Sequence, residues 1–83
     1  MARKRELDWQ RLYWEIGFRV RVAREVVGLT QEELAERLGM SRVSITNLEL
    51  GRQRTPLDTL YRVARVLNVR PHRLLPSQSE VEK

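Results

Sequence analysis

The sequence predicts an all-α fold of five helices, the second and third forming a helix-turn-helix. Three observations predict it. Capping residues stand ahead of the helical runs: Thr30 with Glu33 three residues later, then Ser41 and Thr55. Apolar residues recur at helical spacing, as in Leu34, Ala35 and Leu38, or Ile45 and Leu48. Glycine and proline punctuate the chain in the helical sense, with Gly28, Gly39 and Gly51 as stops and Pro56 and Pro71 as starts.

Residues 1–7, with Arg3, Lys4 and Arg5, form a basic lead-in expected to be mobile. Helix one begins at the cap Asp8 and runs to Val27, where Gly28 closes it. Thr30-Gln-Glu-Glu is a capping box opening helix two, about 31–38. Gly39 takes the positive φ that ends it, and Ser41 caps helix three, about 42–50. The small Ala35 lets these two helices cross closely. After a loop from Gly51 to Thr55, Thr55 caps helix four, Pro56 takes its first position and Asp58 suits its N-terminus. Helix four ends near Leu67 on a left-handed Asn68, and Pro71 starts a short fifth helix through Leu75. Pro76 to Lys83 is polar and expected to be disordered, so one domain spans residues 8–75. The predicted core is Ile16, Val20, Ala23, Val27, Leu29, Leu34, Ala35, Leu38, Ile45, Leu48, Leu57, Leu60, Val63, Ala64, Leu67, Val69 and Leu74.

Bulk properties narrow the function. Eighty-three residues bury a modest core, so association with a second copy helps stability. The absence of cysteine fits a reducing cytoplasm and excludes disulfides and thiolate metal sites. The single His72 cannot build a metal site, and no cofactor or small-molecule ligand is expected. No apolar run approaches the length of a membrane span and no signal peptide is present. A net charge of +5 points to an anionic partner such as nucleic acid. The charge is distributed unevenly: helix two is acidic at Glu32, Glu33 and Glu36, so a phosphate backbone must pass selected arginines.

Helix three carries the side chains that suggest which nucleic acid. Arg42, Val43, Thr46 and Asn47 lie away from Ile45 and Leu48. Arg can chelate guanine O6 and N7, Asn can pair with adenine N6 and N7, and Val or the Thr methyl can touch a thymine methyl. These residue types on a short helix after a tight turn suit entry into a DNA major groove. On residues alone, the alternative is a helical hairpin with a solvated polar face.

From about Ile16 to Leu75 the chain resembles the phage-repressor/Cro-type helix-turn-helix domain, the XRE family. The resemblance rests on the Gly-Leu-Thr-Gln junction at 28–31, the Leu34-Ala35 pair, the Gly-x-Ser turn at 39–41 and the Leu-Glu-x-Gly ending at 48–51. It implies a lambda-repressor-like fold. It also implies base contacts from Arg42, Val43, Thr46 and Asn47, and phosphate contacts from Gln31, Ser44, Arg52 and Arg54, with Gln31 bracing residue 42 as well. Arg24 is implied to bridge to Glu49, fixing the reading helix on its scaffold. Three departures stand out: an apolar Leu50, an Ala23 smaller than the usual Leu, and a Gly51–Pro56 loop one residue longer than in many members.

Helix one carries two apolar stripes. Ile16, Val20, Ala23 and Val27, continued through Leu12 and Trp9, face the core, and Leu7, Trp14, Phe18 and Val22 lie on nearly the opposite side. An exposed Trp-Phe-Val surface is costly for a small monomer. Trp14, Phe18 and Val22 are therefore expected to meet a second subunit or another protein, unless the N-terminal turn covers them. The family more often dimerises around what is here Val69 to Leu75. The leading expectation is a cytoplasmic transcriptional regulator, bacterial or phage-encoded, binding double-stranded DNA. It acts as a homodimer on a palindromic operator with half-sites about 34 Å apart, as a repressor, restriction-modification controller or antitoxin. The alternative is a protein-interaction module that binds a toxin or enzyme through helix one. Enzyme chemistry is not expected: Ser41, Ser44 and His72 lie in separate elements with no acidic partner in the pattern.

Overall fold

Residues 5–83 are described by the structure, a computed structural model, as four α-helices followed by two short 3-10 helices. These are α1 (Trp9–Val26), α2 (Gln31–Leu38), α3 (Arg42–Glu49) and α4 (Leu57–Leu67), then 3-10 turns at Pro71–Leu74 and Gln78–Val81. The expected fifth helix is the first of these turns. Arg3 and Lys4 of the basic lead-in lie outside the described residues.

The caps set the boundaries. Asp8 accepts from the backbone N–H of Arg11 and opens α1. In the Thr30/Glu33 box each side chain accepts from the other residue's backbone N–H, at 3.0 and 2.9 Å. Gly39 is left-handed (φ 66°), which turns the chain sharply into Ser41, whose hydroxyl accepts from Ser44 N–H. Asn68 closes α4 in the same conformation at φ 56°. Helix four departs from expectation at its start: Thr55 makes no capping bond, and Pro56 holds the cap position with extended ψ.

One core joins the elements. Ile16 and Val20 of α1, Leu34, Ala35 and Leu38 of α2, Ile45 and Leu48 of α3, and Leu60, Val63, Ala64 and Leu67 of α4 pack together with Leu74. Ala23, Leu29 and Val69 flank this cluster, partly buried. Val27 and Leu57 are exposed, against expectation, because each stands at a helix end: Val27 is the residue that caps α1 and Leu57 the first residue of α4. Trp9, placed with the core stripe by periodicity, is likewise exposed at the first turn of α1. The Arg62 guanidinium donates to the Leu38 carbonyl, tying α4 to the end of α2.

The last residues are not a disordered tail. Val81 is buried, its carbonyl accepts from Asp8 N–H at 2.7 Å, and Leu7 and Glu82 pair antiparallel. The Glu80 carboxylate receives Arg19 at 2.8 Å, and Arg11 Nε donates to the Glu80 carbonyl at 2.8 Å. Glu6 and Leu7 are therefore pinned by this strap. Composition hid it, because Val81 is a lone apolar residue among Ser, Gln and Glu whose partners lie on α1. Truncation after Leu75 is expected to cost roughly 1–3 kcal/mol, the scale of burying one aliphatic side chain. A chain lacking residues 76–83 that melts at the full-length temperature contradicts this packing.

The backbone N–H of Ser77 holds the Glu80 carboxyl below the usual carboxylate range, and that of Thr30 does the same for Glu33. A depressed carboxyl means the unfolded chain binds protons more readily, so these groups stabilise the fold above the ordinary carboxylate pKa. That contribution is lost as pH falls through the depressed values. Melts from pH 7 down to about 3 should show the loss beginning below roughly pH 4.5. Glu80→Gln should reduce the dependence, and an unaltered profile in that variant counts against the strap contact.

Candidate nucleic-acid interface

The second helix of the hairpin is anchored from below. Arg24, late in α1, reaches Glu49 at the end of α3 with Nε 2.6 Å from Oε2 and Nη2 3.0 Å from Oε1. Its third nitrogen, Nη1, donates to the Leu29 carbonyl at 2.8 Å. The Glu49 side chain is only 2% exposed. Its hydrogen bonds hold the Arg24 guanidinium above its ordinary pKa, outweighing the opposing effect of burial. A bidentate, enclosed pair of this kind fixes orientation as well as charge.

Gln31 extends the anchor to the reading face. Its Nε2 donates to Glu49 Oε1 at 3.0 Å, and its Oε1 accepts from the Thr46 hydroxyl at 3.0 Å. The expected brace to residue 42 is thus made to Thr46 instead. One chain of contacts runs Arg24–Glu49–Gln31–Thr46, linking α1, α2 and α3.

Closeness of the helices completes the placement. Gly17 lies where a Cβ would stand 2.3 Å from the Leu48 carbonyl oxygen and 2.6 Å from that of Glu49. The end of α3 therefore rests directly on the α1 backbone. Gly51, with φ 69°, sits similarly on Trp14, where a Cβ would meet its Cα at 2.6 Å. Gly51 was expected only as a helix stop, and no motif in the sequence marks Gly17.

Arg42 and Val43 are exposed at the first turn of α3, Val43 to 68%. Thr46 and Asn47 are half-buried one turn later. Ser44 shares a hydrogen bond with the capping Ser41 hydroxyl at 2.9 Å, so its side chain faces the turn. Arg52 and Arg54 are exposed in the loop after α3, where Arg52 N–H donates to the Asn47 carbonyl. That loop and the start of α1 form the walls of a groove containing Trp9, Tyr13 and Trp14. Trp14 and Phe18 stack in parallel, ring centroids 5.7 Å apart, and remain 51% and 46% exposed beside an exposed Val22. Among the described residues, no N-terminal turn covers them. Among the described residues, no helix is long and apolar enough to cross a membrane.

Comparison with known proteins agrees with this geometry. An HTH-type transcriptional regulator of Methanothermobacter thermautotrophicus is 50% identical over 48 residues, which cover 58% of this chain and 70% of that protein. The restriction-modification controller protein C.AhdI of Aeromonas hydrophila superposes with a TM-score of 0.72 at 30% identity, over 76% of this chain and 96% of the other. The biofilm master regulator SinR, solved in complex with DNA, superposes with a TM-score of 0.66 at 33% identity, over 71% and 95%. The family model for Helix-turn-helix, HTH_3, matches residues 20–74, from mid-α1 through the first 3-10 turn. With the capped hairpin, its buried anchor and its exposed second helix, the chain belongs to the helix-turn-helix family of transcription regulators, which are DNA-binding proteins and not enzymes.

Proposed function

We propose that the chain is a sequence-specific regulator that places α3 in the major groove of double-stranded DNA and binds as a homodimer across a palindromic site. The observation that carries this reading is the Arg24–Glu49–Gln31–Thr46 chain of contacts, which holds α3 rigid while leaving Arg42 and Val43 free. Preorganised contacts lose less entropy on binding than mobile ones. Arg42, Val43, Thr46 and Asn47 contact base edges. Arg52 and Arg54 hold phosphates, with Ser44 and the backbone at Gln31 contributing from the helix starts. The likeness to C.AhdI and to SinR supports this assignment.

Selection of bound sequences from random duplex DNA tests it, followed by two variants on the enriched site. Arg42→Ala should cost about 1–3 kcal/mol and relax preference at one base pair, whereas Arg52→Ala should weaken all sequences alike. Equal relaxation by both variants contradicts the division of roles.

The stacked Trp14–Phe18 pair and Val22 support a second copy as the partner of α1. Phe18, Val22 and Val26 also form one wall of a groove whose other wall includes Val69 and Arg73. The helix-one face and the region around Val69 to Leu75 adjoin across this groove, which supports an interface that draws on both. Trp14→Glu with Phe18→Glu should convert the protein to monomers in sedimentation, and a dimer that survives eliminates this interface. The same exposed face suits a different protein partner, the second reading; a wild-type chain that is monomeric at high concentration favours it.

A further inference from the structure

Within the DNA-binding reading proposed above, we infer that the centre of the reading surface recognises the C5-methyl groups of pyrimidines and gives no proton to a base acceptor. A threonine hydroxyl has one proton to give. That of Thr46 is directed inward, toward Gln31 Oε1 at 3.0 Å and the Arg42 carbonyl at 3.1 Å. Gln31 cannot swing away freely, because its amide nitrogen is held by Glu49, itself clamped by Arg24. The proton that could be given to a base acceptor is therefore committed to the scaffold, so Thr46 meets a base through its γ-methyl and not as a donor.

Val43 lies three residues earlier, on the same face of α3, and is 68% exposed with no polar side-chain atom. Both residues are β-branched and stiff at χ1, so their methyls hold fixed positions. The middle of the face is apolar, with Arg42 and Asn47 as its polar flanks. In the major groove the apolar feature of an ordinary base pair is the thymine C5-methyl. A 5-methylcytosine presents the same group at the same position. The ligand class is thus duplex DNA methylated at pyrimidine C5, whether as thymine or as modified cytosine.

Uracil tests this, because it keeps the thymine pairing edges and removes only the methyl. The site enriched from random duplex DNA is resynthesised with uracil replacing each thymine in turn. Binding should fall about fourfold for each methyl that meets Val43 or Thr46, the value of one buried carbon. Placing 5-methylcytosine instead of cytosine there should recover a similar factor. Thr46→Ser keeps the inward hydroxyl and loses the methyl, so it should bind thymine and uracil alike at one position. Val43→Ala, at an exposed site, should do the same at the other. Wild-type affinity that is indifferent to uracil, or an enriched site without thymine, overturns this inference while leaving the DNA-binding reading intact. A pool that shows no enrichment overturns both.

Discussion

Gly17→Ala is expected to lower the melting temperature by roughly 10–20 °C, the consequence of about 2–3 kcal/mol of overpacking in a domain of this size. At an exposed helix interior the same change is stabilising by about 1 kcal/mol, since alanine is the better helix former. The sign reverses here because the added carbon would fall 2.3 Å from the Leu48 carbonyl oxygen and 2.8 Å from the Glu49 carbonyl carbon. Those are backbone atoms, so relief requires moving the end of α3 away from α1. That movement also displaces Glu49 from Arg24 and Thr46 from Gln31. DNA affinity should therefore fall beyond what the unfolded fraction explains when binding is measured well below the melting point. A Gly17→Ala protein as stable as the parent contradicts the close approach of the two helices.

Glu49→Ala is the second large effect, expected to cost about 3–5 kcal/mol. Three donors point at this carboxylate, two from Arg24 and one from Gln31. Truncation strands the Arg24 guanidinium in a site nearly closed to water, where an unpaired charge is expensive. Arg24→Ala leaves a buried carboxylate and should be comparably damaging. Arg24→Met with Glu49→Leu separates the two roles of the cluster. Replacing the pair by apolar side chains removes the stranded charge, so much of the stability should return. The link through Gln31 to Thr46 would still be absent, so DNA affinity should stay reduced. Chemical denaturation and duplex binding on the four proteins decide the matter. An unchanged melting temperature in Glu49→Ala removes the anchor from the account.

Both effects arise from contacts between residues far apart in the chain, which the sequence does not display. Local signals were legible. The Thr30/Glu33 box, the left-handed Gly39, the Ser41 cap and the left-handed Asn68 all involve residues a few positions apart, and each stands where the sequence indicated. The Arg24–Glu49 bridge joins residues 25 apart, and it was foreseen only through family resemblance. Gly17 inside an apolar stripe looks like an ordinary helix residue until the end of α3 is laid against it. Val81 carries no periodic signal, because its burial is supplied by α1. Gln31 was expected to hold a phosphate and to brace residue 42; its side chain braces Thr46 and Glu49, a partnership set by the crossing of α2 and α3. Thr55 has the chemistry of a cap, but Pro56 at the cap position sets the geometry of the turn into α4 instead. Each of these is a tertiary fact, decided by which surfaces meet.

In the proposed function α3, held by its buried anchor, reads a specific duplex sequence. Affinity for the enriched duplex and for a scrambled one of equal length, measured across a salt series, tests it most directly. Both should weaken linearly in log K against log salt, by about 0.9 for each phosphate neutralised. The enriched duplex should stay at least about a thousandfold tighter in the wild-type protein, and Glu49→Ala should narrow that ratio. Equal affinity for the two duplexes, or no binding at low salt, would contradict it.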